Sequence, residues 1–137
     1  MVQQYLRGAR GRDLRALVVG GQVIAAMRRS APLGRFARNL RRFAQFEAVE
    51  LPPSYARLAV EAARVLQLEI CAVDMLDVKG GPRIFEVNGS PSIREAETAC
   101  GVDAAGAIVD RAVALVGARG PASRRRAREP AAAPARP

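Results

Sequence analysis

Histidine and tryptophan are absent from this chain of 137 residues, and a single lysine, Lys79, stands among its 22 basic residues. Only two cysteines occur, Cys71 and Cys100, without CxxC spacing and without histidine to complete a ligand set, so nothing points to a structural zinc site. Both read as free thiols, Cys71 inside an apolar strand and Cys100 in a loop beside Gly101. No run approaches the roughly twenty apolar residues of a membrane-spanning helix, and the amino terminus lacks a signal-peptide core. The expectation is a cytoplasmic protein that makes no contact with a membrane. Against 13 acidic residues the net charge is +9, and almost all of the positive charge is arginine. It is unevenly spread: beyond Val116, Arg119, Arg124, Arg125, Arg126, Arg128 and Arg136 face one acid, Glu129. Rich in Pro, Ala and Arg, residues 117–137 are expected to be a disordered tail, a solvated appendage or, on the other reading, an arm that touches RNA phosphates.

What remains is long enough for one domain with a real core. Apolar runs at Arg15–Val19 and Val23–Met27 flank Gly20-Gly21-Gln22, a hairpin signal. An arginine-rich loop follows through Arg42. Pro52-Pro53-Ser54 punctuates a helix start, with Ser54 as the expected cap. Leu58, Ala59, Ala62, Val65 and Leu66 then make one apolar stripe, which predicts a helix to about Leu68. Strands are expected at Ile70–Val78 and Arg83–Asn88, and Asp103 should open a final helix whose Ile108, Val109, Ala112, Val113 and Val116 form a second stripe. The implied fold class is α+β, an antiparallel sheet with helices packed on one face.

The two later strands carry oxygen-bearing side chains where purely structural strands would carry Val or Ile: Asp74 in the first, Glu86 and Asn88 in the second. Magnesium takes hard oxygen ligands in near-octahedral geometry, typically one or two carboxylates completed by water and phosphate. Residues two apart on a strand share a face, so Glu86 and Asn88 point the same way while Phe85 and Val87 pack behind them. A hairpin whose acids simply face water has the same spacing. The register separates the two readings. Pairing Val78 with Arg83 would turn Asp74 away from Glu86, so a shared cation site requires an odd loop or a bulge, with a glycine in the left-handed conformation.

Six short strings lie in the order and spacing of one family. Asp13-Leu14-Arg15, Val18-Val19-Gly20, Met27-Arg28-Arg29, Arg38-Asn39-Leu40, Val73-Asp74 and Phe85-Glu86-Val87-Asn88-Gly89-Ser90-Pro91 resemble the RimK-like branch of the ATP-grasp ligases, from about Val2 to Leu115. The resemblance implies a carboxylate–amine ligase that uses ATP with Mg or Mn, activates a carboxylate such as glutamate as an acyl phosphate, and joins it to an amine or protein acceptor. It also implies the C-terminal half of an ATP-grasp fold over residues 1–116. A preceding α/β domain and a lid with phosphate-contacting lysines have no counterpart in the chain.

By the same resemblance Gln4 and Tyr5 stand in the hinge that pairs with adenine, with Gln4 replacing the usual glutamate, and Asp13 matches a carboxylate that accepts ribose hydroxyls. Arg29 matches a substrate-facing arginine and is the expected catalytic residue. Asn39 matches a residue near the phosphates and metal, and Arg38 stands one place along from a family arginine, where Ala37 sits. Phe43-Ala44 replace a Gly-Gly pair. Asp74, Glu86 and Asn88 would hold the metal. Guanidinium forks suit both the transferring phosphoryl group and a carboxylate substrate. Two alternatives stand beside the ligase: an inactive truncated half-domain that binds a partner, and a small basic RNA-binding protein. A homo-oligomer, or a partner supplying the missing half, belongs to the same set of expectations.

Overall fold

The computed structural model describes residues 12–30 and 45–118. In chain order they form β1 (Arg12–Val19), β2 (Gln22–Ser30), β3 (Gln45–Ala48), helix α1 (Pro53–Val65), β4 (Ile70–Val78), β5 (Gly81–Asn88), helix α2 (Arg94–Cys100) and helix α3 (Ala104–Ala118). The strands make one five-stranded sheet in the order β3-β2-β1-β4-β5, and every neighbouring pair is antiparallel.

β1 is the central strand, and its sequence is apolar on both faces. Leu14, Ala16 and Val18 point to one side, where they join Cys71, Val73 and Met75 of β4 beneath Ala59 and Ala63 of α1. Leu17 and Val19 point to the other, with Ala25 and Met27 of β2 beneath Ala96 of α2 and Ala104 at the start of α3. The antiparallel α+β sheet is as expected, but its helices divide between the two faces instead of lying on one. The physical reason is β1 itself: helices on one side only would leave Leu17 and Val19 in water. Small residues at the α1 contact let that helix lie close to the sheet.

The β1–β2 turn is built from Gly20 and Gly21, both at positive φ (57° and 78°), the conformation that a two-residue hairpin requires. Helix α1 begins one residue before the expected cap. Pro53 is the first helical residue, Ser54 lies inside the helix, and no side chain caps the end. Proline pre-sets the helical φ and has no N–H to satisfy; the backbone N–H groups of Tyr55 and Ala56 donate to the Pro52 carbonyl at 2.9 and 3.2 Å. The helix ends at Val65, short of Leu68. Gln67 turns to φ 56°, the Leu68 N–H reaches back to the Ala63 carbonyl at 2.9 Å, and the Gln67 N–H reaches Arg64 at 3.1 Å. That pair of bonds is a Schellman closure. β3 and α2 were not expected, and Cys100, read as a loop residue, ends α2. Asp103 opens α3 as expected, its Oδ1 accepting the Gly106 N–H at 2.7 Å. The helix continues to Ala118, two residues past the expected end of the domain.

Candidate active site

The face of the sheet that carries α2 and α3 is apolar at one end and charged at the other. Cross-strand partners share a face. Arg15 lies opposite Asp74 on one side and Met27 on the other, and Asp13 lies opposite Arg29. The alternation that buries Leu17 and Val19 therefore delivers Asp13 and Arg15 to the same side, next to Arg29 and Asp74.

The β4–β5 hairpin decides whether Glu86 joins them. Its turn is two residues long, Lys79-Gly80, and pairs Val78 with Gly81; Gly80 and Gly81 have φ of 96° and 101°. A ladder running straight on from that turn would set Asp74 opposite Phe85. Instead the register shifts between Asp74 and Met75: Met75 pairs with Ile84, Asp74 with Glu86, and Phe85 is the extra residue of a bulge. The bulge returns Ile84 and Val87 to the α1 side, where both pack on the core. Glu86 lies directly across from Asp74, and Asn88, opposite Ala72, is one step along the same face. Asp77 falls on the opposite face, where its Oδ1 accepts the Tyr55 hydroxyl of α1 at 2.6 Å.

Asp74 is the one charged residue in the buried set among the described residues, 1% exposed. Both of its oxygens are engaged by Arg15: Nε donates to Oδ1 and Nη2 to Oδ2, each at 2.7 Å. This bidentate fork holds Arg15 firmly protonated. The Asp74 hydrogen bond is the main cause, opposed by burial and helped by the charges of Asp74, Glu95 and Asp13. Arg29 forms a second fork with Asp13, Nε lying 2.9 Å from Oδ1 and Nη2 pairing with Oδ2. Arg29 Nη2 also lies 4.0 Å from Asp74 Oδ2, linking the two pairs. Burial pushes the Asp13 carboxyl above its ordinary pKa; the Arg29 hydrogen bond and charge pull the other way without cancelling it. Glu86 is exposed. The Asn88 side-chain oxygen accepts the Ser90 N–H at 2.9 Å, which fixes the amide but leaves that oxygen a second lone pair.

Of the residues expected from sequence, the structure brings Asp13, Arg29, Asp74, Glu86 and Asn88 to one sheet face. It pairs Asp13 with Arg29, the residues expected at ribose and at substrate. Gln4, Tyr5, Arg38 and Asn39 lie outside the described residues. Two members of the cluster were missed. Arg15 was legible, since it follows Asp13 by two and so shares its face. Glu95 was not, because only the packing of α2 carries it to Arg15.

A sequence model of the RimK-like ATP-grasp domain matches residues 1–112. The probable alpha-L-glutamate ligase of Thioalkalivibrio sulfidiphilus is 48% identical over 109 residues, which are 80% of this chain and 36% of that protein. That of Rhodopirellula baltica is 46% identical over 110 residues, 80% of this chain and 27% of that protein. The chain thus spans about a third of the length of the curated relatives it matches. Among solved structures, the ATP-grasp ligase PsnB, complexed with a variant of its minimal precursor, Mg and ADP, superposes with a TM-score of 0.62 at 28% identity, over 78% of this chain and 33% of that one. The D-alanine–D-alanine ligase of Bacillus anthracis complexed with ATP has a TM-score of 0.61 at 16% identity, covering 85% of this chain and 43% of that one, a likeness of fold alone. With the family match covering most of its residues, the chain belongs to the RimK-like ATP-grasp family.

Proposed function

We propose that this chain carries the metal-binding half of an ATP- and Mg-dependent carboxylate–amine ligase, with residues 1–116 forming a C-terminal ATP-grasp subdomain and glutamate the carboxylate substrate. The observation that supports this reading most is the bulge at Phe85, which sets Asp74 and Glu86 on one face of adjacent strands. The donor set suits Mg or Mn, since two carboxylates and an amide oxygen are all hard ligands. Two acids side by side would repel, and a divalent cation turns that repulsion into attraction. Held by Asp74, Glu86 and Asn88, the cation would supply positive charge that offsets the phosphate charge during phosphoryl transfer to the carboxylate.

The chain's own residues supply orientation. Asp74 is held by Arg15, and Asn88 is set by its turn bond to Ser90. Arg29 is 27% exposed on its side chain, with Asp13 steering the guanidinium from behind. It is the residue to attract the carboxylate or the transferring phosphoryl group. Asp13, while holding Arg29, would offer the remaining lone pairs of its oxygens to ribose hydroxyls. Gln4, Tyr5, Arg38 and Asn39 are proposed to complete the nucleotide pocket, and the names of the glutamate ligase relatives support glutamate as substrate.

The test is a comparison of two isosteric changes on opposite faces of the hairpin. In a full-length ligase that carries this half, Glu86→Gln should lower magnesium-dependent, glutamate-dependent ADP formation by about a hundredfold or more, while Asp77→Asn should leave it within about twofold. Chelation of the divalent cation should abolish it. Equal losses from the two substitutions would mean that the wrong sheet face has been assigned to the metal.

A further inference from the structure

The proposed cation site holds a competitor of its own. Each oxygen of Asp74 accepts one hydrogen bond from Arg15, and a divalent cation shared by Asp74 and Glu86 would sit on the same carboxylate as the guanidinium and repel it. The Arg15 side chain is only 14% exposed, so a displaced guanidinium would not simply pass into water. A buried charge that loses its partner is strongly unfavourable. Arg15 therefore needs a second acceptor within the protein.

Glu95 fits that requirement. It is the second residue of α2 and precedes Ala96, which is 1% exposed and packs with Leu17 and Met27 on the charged face's apolar end. Its Oε2 is buried and has no hydrogen-bond partner among the described residues, the only buried side-chain oxygen or nitrogen there in that condition. An unsatisfied buried carboxylate oxygen is itself costly and calls for a donor. Its charge already acts on Arg15, though less than the Asp74 bond does.

We infer that Arg15 is a two-position counter-ion, holding Asp74 in the cation-free protein and turning to Glu95 Oε2 when a divalent cation binds Asp74 and Glu86. Glu95 is then a positioning residue: it touches neither cation nor nucleotide, and it lowers the cost of clearing Asp74. The inference rests on the reading of Asp74 and Glu86 as a cation site.

Mn2+ binding to the purified 137-residue chain, followed by electron paramagnetic resonance without nucleotide, tests it. Wild-type binding should be lost in Asp74→Asn. Glu95→Gln, which exchanges a charge-assisted acceptor for a neutral one, should weaken it about tenfold while the cation-free melting temperature stays level or rises. In an Arg15→Lys background, which lacks the fork, the effect of Glu95→Gln should shrink. Unchanged Mn2+ affinity in Glu95→Gln, with Asp74→Asn still abolishing binding, would overturn the counter-ion exchange and leave the metal reading standing. An equal loss in the Arg15→Lys background would also overturn it. Wild-type binding that Asp74→Asn does not alter would remove both.

Discussion

Asp74 and Asp13 are each forked by an arginine, yet they respond differently to change. Asp74 is fully enclosed, so Arg15→Met should destabilise the protein by about 3–5 kcal/mol in urea titration, because a buried carboxylate is left without its partner. Combining it with Asp74→Leu should recover most of that loss, since the pair is then replaced by apolar packing. Asp13 titrates in the opposite sense from a typical ion-paired acid. Its folded pKa lies above its ordinary value, chiefly through burial, so its contribution to stability is fully present below the ordinary pKa and is lost as pH rises through the raised one. Asp13→Asn does not titrate. Its melting temperature relative to wild type should therefore improve between about pH 3.5 and about pH 7. A difference that is flat with pH, or that moves the other way, would show that the Arg29 bond outweighs burial.

At the scale of elements, the β4–β5 hairpin combines a turn and a bulge whose effects on register are inseparable. Gly80 sits at φ 96° with open space where a Cβ would stand, so Gly80→Ala meets no clash and its cost is backbone strain alone, about 1–2 kcal/mol by chemical denaturation. Helix α3 depends on its first turn in a similar way. Asp103→Ala removes the acceptor of the Gly106 N–H and should cost about 1 kcal/mol. The strands and long helices were legible in sequence because period-2 and period-3.6 patterns are local. Pro53 and the Gln67 turn moved the ends of α1 through backbone geometry that the apolar stripe does not encode. The four-residue β3 and the seven-residue α2 are too short for periodicity to register.

The described residues form a five-stranded sheet clothed on both faces, with charge gathered at one end of one face. No helix among the described residues is long and apolar enough to cross a membrane. Residues 119–137 lie outside the described residues, and their Arg, Pro and Ala content gives them little apolar area to bury. Deleting them should leave the melting temperature unchanged by differential scanning calorimetry. If the segment is instead an RNA-binding arm, RNA affinity of the full chain should fall steeply with added salt and vanish on deletion.

The amino-acid order alone determined the family, the antiparallel strands and the side chains proposed to hold a cation, because each is carried by residues close together in the chain. Asp74, Glu86 and Asn88 could be named from two adjacent strands, and Asp13 and Arg29 from their motifs. Only the tertiary structure decided which of them meet. The one-residue slip at Phe85 chooses the face of Glu86, since strand period is two and a shift of one inverts every side chain. The forks of Arg15 on Asp74 and Arg29 on Asp13 join residues 59 and 16 positions apart. The burial that perturbs Asp13 and encloses the Glu95 oxygen is set by the folded chain around them and not by their neighbours in sequence. Such terms depend on what lies across a strand or beneath a helix, which no local pattern contains.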